Sequence, residues 1–105
     1  MNKVMLSGRA TADPELKYLP SGTAVATFTM AVRRDFKNKA GEYESDFFNC
    51  SAFGKTGELM AEYIKKGALF PICGRVQIRT YEDKDGVKKW ITEIIVNEFE
   101  FSSKE

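Results

Sequence analysis

The stretch from Gly74 to Phe101, GRVQIRTYEDKDGVKKWITEIIVNEFEF, constrains the fold most, because it reads as two long β-strands joined by a tight turn. Asp85-Gly86 suits a two-residue hairpin turn, in which both central positions need positive φ. That turn sets Tyr81 opposite Trp90 and Arg79 opposite Thr92. Strand side chains alternate between faces, so Arg75, Gln77, Arg79 and Tyr81 share one face while Val76 and Ile78 share the other. The first face interleaves cations with an aromatic ring, a surface suited to single-stranded nucleic acid. The plainer alternative is an amphipathic hairpin with solvated arginines. This register puts Glu93 opposite Ile78 on the apolar face; a bulge, or a longer loop around Glu82 to Val87, removes the misfit.

At 105 residues the chain is expected to form one domain, 1–105, with a modest core. No apolar run reaches transmembrane length, so no membrane partner is expected. The N-terminal MNKVMLSGRA is too short and polar for a secretory signal, which favours a cytoplasmic location. Cys50 and Cys73 sit far apart in apolar strand-like runs and read as buried reduced thiols. Net charge is only +1, yet residues 1–40 and 64–90 each hold seven Lys/Arg against three Asp/Glu. A local basic surface is therefore compatible with a nearly neutral molecule.

Lys3 to Arg9 alternates and reads as a first strand, with Gly8 as a bend or bulge. Glu15 to Tyr18 is a short extended piece before a Pro20-Ser21-Gly22 turn. Ala24 to Arg34 is a second strand ending in Arg33 and Arg34. Asp35 to Ser45 is polar and reads as an exposed loop carrying Phe36, Lys37, Lys39 and Tyr43. In the third strand, Asp46 to Phe53, one face takes Phe47, Asn49, Ser51 and Phe53, the other Phe48, Cys50 and Ala52. Thr56 is placed to cap a helix through Lys66, with Leu59, Met60, Tyr63 and Ile64 as its apolar stripe, Lys65-Lys66 at its C-terminal end and Gly67 terminating it. Ala68 to Tyr81, interrupted by Pro71 and Gly74, and Lys88 to Phe101 complete five strands. The expected class is all-β: a five-stranded antiparallel OB-fold barrel with one helix between strands 3 and 4.

Catalytic and metal motifs fall short. Phe53-Gly54-Lys55-Thr56 resembles the end of a phosphate loop, but Asn49 stands where that motif needs glycine. Asp83-Lys84-Asp85-Gly86 resembles a calcium loop, but Tyr81 and Thr92 occupy two of the ligand positions. The chain contains no histidine. No enzyme activity, metal or cofactor is expected.

Asn2-Lys3-Val4, Gly8, Asp13 to Tyr18, Pro20-Ser21-Gly22 and Val25-Ala26 closely resemble the N-terminal signature of bacterial and phage single-stranded DNA-binding proteins. Phe53-Gly54-Lys55, the Tyr63 to Gly67 helix end, Gly74-Arg75 and Thr92-Glu93 continue the resemblance through residue 101. It implies an OB-fold, a homotetramer built as a dimer of dimers, and binding of single-stranded DNA without sequence preference in replication, recombination and repair. It implies base stacking on Phe36, Phe47, Phe53 and Tyr81, and backbone contacts from Lys3, Lys55, Lys66 and Arg79, which Arg33, Arg34 and Arg75 would join. Phe48 falls at a subunit interface, and the first strand, with Val4 and Leu6, would pair with its own copy. The alternatives are core packing for Phe47 and Phe53, a loop anchor for Phe36, packing against Trp90 for Tyr81, and a helix-dipole role for Lys66. Typical members of the family continue into a long flexible tail with an acidic tip. This sequence stops at Phe101-Ser-Ser-Lys-Glu, either because a tail lies outside it or because it is one of the short competence or phage types, and tail-mediated recruitment of replication and repair proteins is not expected. The resemblance places the protein in a bacterial nucleoid or the cytoplasm of a phage-infected host.

Overall fold

The computed structural model describes residues 1–101. Six strands and a helix follow in the order β1 (Val4–Ala10), β2 (Glu15–Tyr18), β3 (Ala24–Lys37), β4 (Tyr43–Phe53), α1 (Gly54–Tyr63), β5 (Leu69–Glu82) and β6 (Lys88–Phe99). Five of them close into a barrel in the order β1-β5-β6-β4-β3, and β3 returns to β1 through Arg9↔Ala31 and Ala10↔Met30. The short extended piece, β2, pairs with β3 outside the ring. With one helix between the third and fourth barrel strands, this is the OB-fold. One seam is parallel: β4 and β6 run together from Asn49↔Glu93 to Ala52↔Val96. A closed ring with an odd number of strands cannot alternate direction throughout, so the wholly antiparallel barrel gives way at one seam.

The core follows the period-two pattern of the strands. Phe28, Met30, Cys50, Ala52, Phe70, Ile72, Ile94 and Val96 point inward, and Phe28 meets Phe70 with ring centroids 5.8 Å apart. Gly8 is neither a bend nor a bulge; it pairs regularly with Phe70 inside β1. Its bare Cα lets β1 approach β3, since a Cβ there would lie 2.3 Å from the Ala31 carbonyl oxygen. Likewise β5 runs unbroken through Pro71, with a bulge at Cys73/Gly74. Both cysteines are free; Cys50 is buried and Cys73 half-buried.

The helix lies earlier than the sequence suggests. It begins at Gly54, Phe53 occupies the N-cap without a side-chain bond, and Thr56 lies inside the first turn. Met60 and Ile64 are fully buried, whereas Tyr63 is exposed and packs its ring 5.5 Å from Phe101. Ile64 is already extended (φ −93°, ψ 129°), so burying it ends the helix before Lys65-Lys66. Those lysines do not sit in the last turn.

Two hairpins carry the outer ends of the long strands, and both differ from expectation in the same way. The Asp35 to Ser45 loop is largely strand: only residues 38–42 separate β3 from β4. Asp85-Gly86 does not form a two-residue turn either; the loop spans residues 83–87. The two five-residue turns are built alike. Asn38 Oδ1 accepts from the backbone N–H groups of Ala40 and Glu42, and Asp83 Oδ1 accepts from those of Asp85 and Val87. Gly41 and Gly86, at φ +80° and +76°, supply the left-handed fourth residue of each turn. The longer turn shifts the β5–β6 register by one, so Tyr81 faces Lys89, Thr80 faces Trp90 and Arg79 faces Ile91. Glu93 now faces Gln77, and the misfit with Ile78 disappears.

Candidate nucleic-acid interface

The outer face of the barrel is built from residues that alternate with the core. On β4, Phe48, Cys50 and Ala52 face the core, which turns Phe47, Asn49, Ser51 and Phe53 outward. Their β3 partners are small: Ala31 opposite Phe47, Thr29 opposite Asn49, Thr27 opposite Ser51 and Val25 opposite Phe53. The two phenylalanine rings therefore stand above a low floor, 66% and 45% exposed. Core packing is excluded for both. Tyr81, at 46%, lies on the same outer face through β5, and its ring points away from Trp90 because Trp90 pairs with Thr80. The Tyr81–Trp90 packing alternative is gone. Phe36, at 68%, sits in a bulge of β3 where three residues, Arg34 to Phe36, face Glu44 alone; it is part of a strand and not a loop anchor.

A polar row crosses this face. Thr29, Asn49, Glu93 and Gln77 are successive cross-strand partners from β3 through β4 and β6 to β5. Thr29 and Asn49 side chains approach to 3.5 Å, and Arg79 Nε donates to Glu93 Oε1 at 3.0 Å. The Glu93 side chain is only 11% exposed, so this carboxylate belongs to the floor while Arg79 rises from it. Thr29, Asn49 and Glu93 of this row line a shallow groove of about 430 Å³ that Thr11 and Asp13 flank.

The expected cations differ in what they already touch. Arg34 makes Nε and Nη2 bonds of 3.0 and 2.9 Å to Asp46 and an Nη1 bond of 3.0 Å to Glu44. The Asp46 hydrogen bond raises the Arg34 pKa further, and the Arg34 hydrogen bond in return holds the Asp46 carboxyl below its ordinary value. Arg33 lies over the Tyr43 ring, 4.5 Å from its centroid, and Arg75 donates to Gln77 Oε1 at 2.8 Å. Lys55 follows Phe53 into the first turn of α1. Lys3 precedes β1, and Lys66 follows the helix with its backbone N–H donating to Asp13 at 2.8 Å; neither lies on the polar row. The helix-dipole alternative for Lys66 falls with the shorter helix.

Phe48 is half-buried against the core, as are Val4 and Leu6. Val4 to Arg9 pair with β5 along one edge of β1, but only Arg9 and Ala10 pair with β3 along the other. Among the described residues the Val4 to Ser7 edge pairs with no strand.

The sequence that folds into this barrel matches a known family. The model of the single-strand binding protein family matches residues 1–102. The chain belongs to this family. Among relatives, the single-stranded DNA-binding protein 2 of Listeria monocytogenes serovar 1/2a is 50% identical over 101 residues, covering 96% of this chain and 63% of that protein. The single-stranded DNA-binding protein 3 of Listeria innocua serovar 6a is 52% identical over the same shares, and that of Bacillus cereus is 50% identical with 59% of its length covered. This family member therefore spans less than two thirds of the length of these relatives. No helix among the described residues is long and apolar enough to cross a membrane. The aromatic positions on β4 are legible from alternation; Tyr43 and Arg9 line the same outer face, but the sequence shows Tyr43 only as a loop residue and Arg9 only as a strand end.

Proposed function

We propose that the chain binds single-stranded DNA without sequence preference and serves replication, recombination and repair by covering exposed strands. The observation that carries this reading is the pair of upright rings, Phe47 and Phe53, over a floor of Ala31, Thr29, Thr27 and Val25. Rings held clear of their neighbours stack on bases, and every base presents a π-face, so little sequence preference follows. A duplex hides those faces. Tyr81 extends the surface onto the β5–β6 hairpin, and the exposed Phe36 ring on the β3–β4 hairpin is a further stacking position.

Lys3, Lys55, Lys66, Arg33 and Arg75 contribute phosphate contacts, releasing counterions as they do so. Arg34 and Arg79 meet carboxylates in the free protein, so their contribution requires exchange of carboxylate for phosphate. The unpaired Val4 to Ser7 edge of β1 supports pairing with a second copy, with Leu6 and Phe48 beside it, on the way to a tetramer. The cytoplasm or nucleoid is the compartment where such a protein works. The experiment is alanine substitution at Phe47 and Phe53, each expected to weaken oligo-dT binding by about 1–3 kcal/mol with the fold intact. Unchanged binding in both variants overturns the stacking assignment.

A further inference from the structure

On the β3–β4 hairpin the outer face carries a second aromatic-cation group beyond Phe47. β4 is regular there while β3 bulges, so Ser45 pairs with Arg33 and Tyr43 with Lys37. Tyr43, Ser45 and Phe47 consequently point the same way. The Tyr43 ring is 44% exposed and makes no core contact. Arg33 lies 4.5 Å and Lys37 5.8 Å from its centroid, within cation–π range. Among the described residues neither cation forms a salt bridge, although Asp35 lines the same cleft as Arg33. The neighbouring Arg34 points to the opposite face and is neutralised by Asp46 and Glu44. Glu44 and Asp46 thus engage Arg34 on one face, while Arg33 and Lys37, without an ion pair among the described residues, flank a ring on the other.

We propose that Tyr43 is a further base-stacking position, clasped by Arg33 and Lys37, which reach the phosphates flanking the stacked nucleotide. This rests on the single-strand reading above and lengthens the bound path. Tyr43 and Phe47 lie four positions apart, about 13 Å along β4, and on this face only the small Ser45 lies between them. A strand crossing Phe47 passes Tyr43 before it reaches the hairpin tip. The two cations hold the ring in place before binding, which lowers the ordering cost of stacking.

Trp90 is the only tryptophan, so Trp90→Phe with Tyr43→Trp gives a single emission reporter at the site. Titration with oligo-dT is expected to quench that emission, a signal that mere support of the hairpin would not produce. In the otherwise unaltered chain, Tyr43→Ala is expected to lower affinity about five-fold or more, and Tyr43→Phe to preserve it. Anisotropy of the labelled oligonucleotide separates the two possible failures. Binding without quenching, together with unchanged affinity in Tyr43→Ala, overturns the Tyr43 site alone. Absence of oligonucleotide binding in the unaltered protein overturns the single-strand reading and this site with it.

Discussion

Tyr81 and Trp90 lie on adjacent strands of the β5–β6 hairpin and point to opposite faces, because Trp90 pairs with Thr80 and Tyr81 with Lys89. The five-residue turn at Asp83 to Val87 sets that relationship. Tyr81 shares the outer face with Arg79, and Trp90 shares the other with Ile78. Tyr81→Ala should therefore weaken oligo-dT binding by about 1–3 kcal/mol, whereas Trp90→Phe should leave it unchanged. Titration of the two variants under one salt condition checks this; equal losses would contradict the register.

The Arg34–Asp46 pair predicts an acid-dependent loss of stability. Asp46 has its pKa lowered below 3.8 in the folded chain, chiefly by the Arg34 hydrogen bond. A depressed carboxyl stabilises the fold above its unfolded value and loses that contribution as pH falls through the folded one. Thermal midpoints of the unaltered chain and of Asp46→Asn should differ by a constant amount above about pH 5 and converge below it. Because the pair is exposed, the difference should be small.

Gly8 predicts a backbone effect in the core. A methyl group there would meet the Ala31 carbonyl at 2.3 Å, and that oxygen cannot yield without moving β3. Gly8→Ala should cost about 1–3 kcal/mol in urea unfolding. A neutral substitution would mean that β1 and β3 separate more easily than their pairing implies.

Burial pushes the Cys50 thiol from 9.0 up to about 12. The folded chain then holds this proton where the unfolded chain releases it, so stability should fall as pH rises from 9 towards 12. Thiol titration near neutral pH should count at most one reactive cysteine, the half-buried Cys73, and two after denaturation. Two fast thiols in the native protein would contradict the buried position of Cys50.

Much of the barrel is legible in the sequence because burial imposes a period of two on its strands. Phe47 and Phe53 alternate with Cys50 and Ala52, and that parity alone separates rings from core. The hairpin ends carry no such signal. Beyond the core neither face of a strand has to be apolar, so DFKNKAGEYES resembles a loop although most of it is strand. The turns are hidden for a related reason: side-chain oxygens of Asn38 and Asp83 replace ladder bonds, and Asp85-Gly86 resembles a shorter turn than the one formed. The helix end is misplaced because propensity favours Lys65-Lys66 in the last turn, whereas burial of Ile64 pulls the chain out earlier. Salt bridges such as Arg34 to Asp46 depend on the β3–β4 register, which alternation within a single strand does not reveal.

The most direct measurement of the central claim is fluorescence anisotropy of labelled oligo-dT and of a duplex of equal length, each titrated at several salt concentrations. Tight binding of the single strand should fall with salt at a log–log slope of about −0.7 per phosphate contacted, with the duplex far weaker. Equal affinity for both nucleic acids would reduce the outer face to a basic surface without base stacking, and would contradict the account.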